Sequence, residues 1–156
     1  MRIALLAVGT KPPDWVRSGF EEYRKRLPKP YAPELIELAA GTRGSSRDAA
    51  RAIADEGARV LAAVPRGARL VLLDERGKPW SSTQLSSELA AWSQDGRDVA
   101  LAIGGADGHA PEVAARADQR WSLGPLTLPH MLVRLVVIEQ LYRAWTLMTG
   151  HPYHRA

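Results

Sequence analysis

Apolar runs alternate with helical patterns along the whole chain, and this alternation limits the fold more than any other feature. The run Arg69–Leu73 is apolar at nearly every position, which is typical of a central strand in a parallel sheet. The pattern therefore predicts an α/β fold with a mostly parallel sheet flanked by helices. Neither a repeat nor a linker divides the chain, so residues 1–156 are predicted to form a single domain. The predicted strands are 2–8, 34–39, 69–73, 98–103 and 120–123, and the predicted helices are 15–27, 47–64, 83–94, a short one after Pro111, and 131–148.

Composition narrows the class of protein. The chain has no cysteine, which excludes disulfides, thiolate nucleophiles and cysteine-ligated zinc. Its first residues enter a strand without a basic region and a long apolar run, so no secretory signal is predicted. The longest near-apolar stretch, 131–141, contains Arg134 and Glu139 and is too short to cross a bilayer. We therefore expect a cytoplasmic protein with no membrane partner.

The net charge is +4, and arginine supplies most of the positive charge. Guanidinium groups pair with phosphate and stack on bases, so this balance favours a polyanionic partner, although a merely basic enzyme would look the same. Basic residues form two clusters that could be a phosphate-binding rim or simply solvated faces. The clusters are Arg17, Arg24, Lys25, Arg26 and Lys29, followed by Arg43, Arg47 and Arg51.

The last predicted helix, 131–148, carries thirteen apolar residues in eighteen. A helix that is apolar over so much of its girth must be covered on two sides. The sheet can cover one side, and a second copy in a two-fold homodimer can cover the other. Coverage by the shorter helices of the same chain is the alternative. We favour the homodimer.

Two segments rich in glycine and proline follow predicted strands. Gly104–Gly108 (GGADG) stands where open α/β sheets bind ligands, but it matches neither the dinucleotide fingerprint nor a P-loop, and such turns often only reverse the chain. Leu123–Pro129 (LGPLTLP) is apolar yet broken, so it can be neither a helix nor a central strand. Its backbone amides and carbonyls need hydrogen-bond partners, and a purine held between its leucines would supply them. The alternative is that the segment is a buried connector whose backbone bonds to neighbouring backbone.

The chain ends in groups that do chemistry: His151-Pro152-Tyr153-His154-Arg155. Histidines three apart suit zinc on a helix, but Pro152 breaks the helix and no nearby carboxylate completes a set, so no metal is predicted. A tail that presents an imidazole, a hydroxyl and a cation to a substrate fits better. His130, at the start of the last helix, is expected to cap or bond locally.

Six sequence blocks, in order and at matching spacing, resemble the bacterial ribosomal RNA methyltransferase H family. This family belongs to the SPOUT class of knotted α/β methyltransferases, and the resemblance covers the whole chain. The blocks are AVGTKPPDWV (7–16), LDERGKPWSS (73–82), DGRDVALAIGG (95–105), WSLGPLTLPHMLVR (121–134), EQLYRAW (139–145) and HPYHR (151–155). The resemblance implies a trefoil knot, a homodimer with the last helix at its interface, bent S-adenosylmethionine, and N3 methylation of a pseudouridine in 23S rRNA.

The resemblance also assigns site residues. It places the tail at the methyl-transfer site, which makes Tyr153, His154 and Arg155 the catalytic candidates. Two departures from the family pattern stand out: Gly124-Pro125 in the cofactor segment, and Gly150 before the tail. The implied cofactor contacts are Leu73, Gly104, Leu123, Gly124, Pro125, Leu126, Thr127 and Leu128.

Methyl transfer from a sulfonium needs an in-line, deprotonated nucleophile. His154 is the candidate base, and Arg155 would stabilise negative charge on the uracil ring. The small size favours a substrate presented by the assembled ribosome. The alternatives are a methyltransferase acting on transfer RNA and a non-enzymatic, ribosome-associated RNA-binding protein on the same scaffold.

Overall fold

Five parallel strands form one sheet in the computed structural model, which describes residues 1–43 and 46–155. The side chains of residues 46, 47 and 155 also lie outside this description. The strand order is β2-β1-β4-β3-β5, and all neighbouring pairs are parallel, so the carboxyl ends share one edge. The strands are β1 Ile3–Val8, β2 Glu34–Leu38, β3 Arg69–Lys78, β4 Val99–Ile103 and β5 Gln119–Trp121.

Helices cover both faces of this sheet. Helix α3 begins with a capping box, in which Ser81 Oγ accepts from the Gln84 amide and the Gln84 side chain accepts from the Ser81 amide. Helix α5 ends at Gly150, whose φ of +74° favours glycine. The helices are α1 Asp14–Arg24, α2 Ser46–Ala63, α3 Ser82–Asp95, α4 Pro111–Arg116 and α5 His130–Thr149, and a 3-10 helix, Pro152–Arg155, follows α5.

An apolar core lies on each face of the sheet. Successive side chains of a strand point to opposite faces, so Leu5 and Leu6 of β1 enter different cores. One core packs against α1, α3 and α5, and the other packs against α2 and α4. This arrangement confirms the predicted α/β class with a parallel sheet flanked by helices.

Strand β3 extends beyond its predicted end at Leu73. Leu73 and Lys78 both pair with Trp121 of β5, so the chain bulges out between them and then returns to the ladder. The polar sequence Asp74–Gly77 hides this return, because it looks like an ordinary loop. Helix boundaries also move: α1 ends at Arg24 rather than near residue 27, and the cap of α3 is Ser81 rather than a later residue.

Helix α5 lies between α1 and α3 on the sheet. Its inner residues, such as Val137 and Ile138, are fully buried. Leu132, Val136 and Leu147 are only half-buried, although they are apolar. An apolar row therefore remains partly open to solvent along this helix. Within the described residues, no helix is both long enough and apolar enough to cross a membrane.

Candidate active site

A cavity of about 470 Å³ opens at the carboxyl edge of the sheet, beyond β3, β4 and β5. Its size is that of a small-molecule or cofactor site, and its position is where parallel α/β sheets bind ligands. We call it the edge pocket. Its lining comes from three chain segments: Leu73–Arg76, Ile103–His109 and most of Leu123–His130, together with Ala114, Trp121 and Val133.

The glycine loop Gly104–Gly108 forms one wall of the edge pocket. The Gly108 amide donates to the Gly105 carbonyl at 3.2 Å, which closes a tight turn. A Cβ at Gly104 would lie 2.9 Å from the Gly108 backbone, a distance that real Cβ atoms do not adopt. Gly108 has a φ of +83°. The glycines therefore allow a turn so tight that its backbone faces the cavity.

The broken apolar segment forms the opposite wall. Residues 122–129 adopt neither helix nor strand, as predicted. The Gly124 amide donates to the buried Ser122 hydroxyl at 3.1 Å, and the φ of Gly124 is +111°. Leu126 is 77% exposed, which leaves apolar surface available beside the cavity.

Seven of the eight predicted cofactor residues line the edge pocket, and Pro125 does not. Their role in binding a cofactor remains a prediction. The lining positions are Leu73, Gly104, Leu123, Gly124, Leu126, Thr127 and Leu128.

His109 is a half-buried pocket residue that the sequence patterns did not indicate. Its Nε2 lies 3.1 Å from the Leu73 carbonyl oxygen and links the glycine loop to the end of β3. Burial lowers the pKa of His109 below its ordinary value, although the bond to Leu73 and the nearby Asp74 carboxylate oppose this. The imidazole is therefore neutral at physiological pH, and Nε2–H donates to Leu73. Its position directly after a glycine loop is the feature of the sequence that could have indicated a pocket residue.

We expect His109 to make the folded protein sensitive to acid. As the pH falls below about 6.5, the unfolded chain takes up the proton before the folded chain does, so the free energy of unfolding should decrease. The His109→Gln variant keeps a hydrogen-bond donor but does not titrate, so its free energy of unfolding should decrease less on acidification. Urea unfolding at about pH 7 and about pH 5 measures both losses. Parallel pH profiles for the two proteins would contradict this assignment.

The rim of the edge pocket is acidic overall. Asp74, Glu75 and Asp107 contribute carboxylates, whereas Arg76 contributes one cation, and Arg76 lies 3.7 Å from Asp74. With His109 neutral, this lining suits a ligand that carries positive charge. Among the described residues, no group of three histidine or acidic side chains is arranged to hold a metal ion.

The C-terminal tail packs against α1 and α5 rather than entering this pocket. The Tyr153 hydroxyl lies 3.2 Å from the Tyr23 hydroxyl and 3.3 Å from Glu139 Oε1. Its ring meets the Tyr142 ring edge-on at 4.6 Å, and the Arg143 guanidinium lies over it at 5.0 Å. These contacts hold the tail in place, consistent with a function beyond that of a solvated end.

Within the tail, Tyr153 and His154 have different chemical properties. Burial, reinforced by the hydrogen bond to Tyr23, raises the pKa of Tyr153 well above its ordinary value, so the phenol stays protonated. His154 is half-buried, and its buried Nδ1 has no partner among the described residues. The backbone of Arg155 completes the 3-10 helix, and its side chain lies outside the description.

The tail and the edge pocket of one chain lie apart. Of the tail side chains that the structure describes, none lines the pocket, whereas His130 at the start of α5 does. Glu139, which Tyr153 approaches, lies about 14 Å further along the helix axis at 1.5 Å per residue. One chain by itself therefore does not bring Tyr153 and His154 to the predicted cofactor residues.

The predicted basic rim is partly neutralised by neighbouring acids. Lys25 and Arg26 pair with Glu22 at 2.8 and 2.9 Å, and Arg17 lies 3.6 Å from Asp14. Arg24 of the same cluster donates to the Pro33 carbonyl. In the second cluster, Arg43 is held by two carboxylates, and Arg47 lies in the part of the chain whose side chains are not described. Lys29 and Arg51 stay exposed.

Comparison with known proteins identifies the class. The family described as "Predicted SPOUT methyltransferase" matches residues 1–154, and the chain belongs to this family of methyltransferases. A relative from Pseudomonas putida (strain W619), named ribosomal RNA large subunit methyltransferase H, is 54% identical over 155 residues, which is 99% of this chain and 100% of the relative. These matches confirm the family resemblance and the SPOUT-type fold predicted from it, and they set aside the non-enzymatic alternative.

Two solved structures share the fold. A probable methylase family protein from Haemophilus influenzae Rd KW20 superposes with a TM-score of 0.56 at 11% identity, covering 97% of this chain and 69% of that one. A probable rRNA-methyltransferase from Porphyromonas gingivalis gives a TM-score of 0.53 at 15% identity, with coverage of 94% and 68%. At these identities the likeness concerns the fold alone.

Proposed function

We propose that this protein transfers a methyl group from S-adenosylmethionine to N3 of a pseudouridine in 23S rRNA. It does so as a cytoplasmic homodimer acting on the assembled ribosome. Family membership and the 54% identical, full-length relative support the reaction class and the ribosomal RNA target. The observation that carries the proposal is the edge pocket, because its walls are the segments that the resemblance assigns to the cofactor.

The pocket residues fit the cofactor. Leu123 and Leu128 offer apolar surface for a purine, and the backbone of the two broken segments offers amides for its ring nitrogens and carbonyls for its amino group. Carboxylates of Asp74 and Glu75 on the rim complement a sulfonium and an ammonium group. When bound, the cofactor supplies an activated methyl group. The protein's own part is to orient this group, exclude water and remove a proton from the target.

A second copy of the chain supplies the tail. The half-buried apolar row on α5 calls for a partner surface, and a two-fold axis places the same row opposite itself. The tail lies apart from the pocket of its own chain, so it is available to a neighbouring pocket. Each active site of the proposed homodimer therefore combines one chain's pocket with the other chain's tail.

In this site the tail groups have separate tasks. His154 accepts the N3 proton of the pseudouridine, because a neutral imidazole can take a proton near neutral pH. Arg155 stays protonated and stabilises negative charge as it develops on the ring. Tyr153 stays a neutral phenol and, through Glu139 and Tyr23, holds the tail in position.

The substrate is a structured one rather than free RNA. Many cations of the predicted rim are paired with acids, so few remain to grip phosphates along a naked strand. A ribosome that presents the target nucleotide supplies the missing recognition. The same paired cations disfavour the transfer RNA alternative, in which the enzyme alone must bind the substrate.

Incubation with methyl-labelled S-adenosylmethionine tests this proposal. We expect label in 23S rRNA when the substrate is intact ribosomes lacking their native modifications, and little label in naked ribosomal RNA or transfer RNA. Nucleoside digestion should locate the label in N3-methylpseudouridine. Label in transfer RNA alone would favour the alternative, and no label in any RNA despite intact cofactor would reject the proposed reaction.

A further inference from the structure

Beneath the glycine loop lies a buried carboxylate, Glu56 of α2, which is only 3% exposed. Its oxygens accept the Gly41 amide at 2.8 Å and two Arg43 nitrogens at 2.7 and 3.2 Å. A buried carboxylate is costly unless it is paired and hydrogen-bonded, and this one is both. The proposed function gives Glu56 no role in cofactor binding or in proton transfer.

Arg43 connects this carboxylate to the edge pocket. While its terminal nitrogens bond Glu56, its Nε donates to Asp107 Oδ2 at 2.7 Å. Asp107 belongs to the glycine loop and lines the pocket, and its side chain is 45% exposed. The three residues thus form one chain of charges, which runs from α2 to the pocket wall.

Helix α2 also touches the glycine loop directly. A Cβ at Gly105 would lie 3.1 Å from Glu56 Oε1, so the loop backbone rests on the carboxylate. A Cβ at Gly57 would lie 2.5 Å from the Ala110 Cβ, so the helix and the end of the loop segment are in close contact. A loop of glycines has few conformational preferences of its own. Its shape is therefore set by these neighbours.

We propose that Arg43, fixed by Glu56, is a positioning residue that holds Asp107 and keeps the glycine loop in the shape that admits the cofactor. This inference rests on the proposed function, because it takes the edge pocket to be the cofactor site. Arg43 and Glu56 act through Asp107 and the loop, so they set the affinity for the cofactor rather than the rate of methyl transfer.

The expected effect follows from population arithmetic. We call Glu56, Arg43 and Asp107 the clamp. If the loop without its clamp holds the shape that binds the cofactor for only a tenth of the time, the apparent affinity for the cofactor falls about tenfold. Turnover at saturating cofactor changes little, because bound cofactor restores the shape. The Arg43–Asp107 pair is partly exposed, so its loss should affect the melting temperature only slightly.

Calorimetric titration with S-adenosylmethionine tests the clamp in the full-length protein. The variants are Arg43→Gln, Asp107→Asn, their double mutant, and Glu56→Gln, with melting temperature and turnover at saturating cofactor measured for each. Asp55→Asn is the matched control, because Asp55 precedes Glu56 on α2 and is exposed. We expect Kd to rise about tenfold in each single variant of the clamp and no further in the double mutant.

The outcomes separate this inference from the proposed function. Failure of the unaltered protein to bind the cofactor would reject both. Normal binding by Arg43→Gln and Asp107→Asn, with the unaltered protein binding well, would reject the clamp alone. Additive losses in the double mutant, or losses in kcat rather than Kd, would also reject it. Arg43→Gln and Glu56→Gln each break a buried ion pair. If either does not fold, Asp107→Asn, which removes only the partly exposed pair, still decides the question.

Discussion

Replacing His154 with Ala should lower kcat by about 10²- to 10⁴-fold, the usual contribution of a positioned general base. The affinity for S-adenosylmethionine should stay nearly unchanged, because the proposed task of His154 is to take the proton from the pseudouridine and not to hold the cofactor. Single-turnover methylation of ribosomes gives the rate, and calorimetry gives the cofactor affinity. A comparable loss of both would show that His154 supports the site's structure rather than its chemistry.

Tyr153→Phe is the control for tail position. It keeps the ring that packs on Tyr142 but removes the hydroxyl near Tyr23 and Glu139. A smaller loss of kcat than in His154→Ala is expected, since the phenol stays protonated and only positions the tail. An equal loss would make tail placement, rather than proton transfer, the reason for both effects.

Mixing two inactive chains tests whether the tail acts across the proposed dimer. A His154→Ala chain keeps its pocket, and a Gly104→Ala chain keeps its tail but has a Cβ that clashes in the glycine loop. Coexpression of the two should restore roughly a quarter of normal activity, because half of randomly assembled dimers are mixed and each has one complete site. No restoration would mean that each tail serves its own chain.

The sequence predicts those parts of the molecule that depend on local composition. Strands β1, β3 and β4 follow from apolar runs, and the irregular wall of the edge pocket follows from glycine and proline among leucines, since that mixture permits neither helix nor central strand. The sequence also indicates the partial neutralisation of the basic rim, because Glu22 precedes Lys25 and Arg26 at the spacing of ion pairs on a helix.

What the sequence hides depends on contacts between distant residues. Glu56 looks like any solvated acid of a helix until a loop carrying Arg43 folds over it. Arg43 then reaches Asp107, which lies 64 positions away in the sequence. His109 finds its acceptor only because β3 and β4 are neighbours in the sheet. No periodicity records such pairings, so the pattern of the sequence gives no sign of them.

The buried Arg134 of α5 joins the start of that helix to the sheet. It is 1% exposed, and it donates to Glu37 of β2 at 2.7 Å and to the Gly9 carbonyl at the end of β1 at 3.2 Å. Glu37 is its only ion-pair partner within the part of the chain that the structure describes, and the Glu37 side chain is 31% exposed. Loss of this carboxylate therefore leaves a guanidinium buried without a counter-charge.

We expect Glu37→Gln to lower the free energy of unfolding by about 1–3 kcal/mol, the cost of leaving the buried Arg134 without its partner; this is less than for a fully buried pair, because Glu37 itself is exposed. Glu34→Gln, an exposed change on the same strand, should cost almost nothing. The double variant Glu37→Gln with Arg134→Met should recover part of the loss, because no unpaired charge remains. Urea unfolding at neutral pH measures these variants together with the single change Arg134→Met. A double variant as unstable as the sum of its single changes would attribute the loss to packing of the Arg134 side chain instead of its charge.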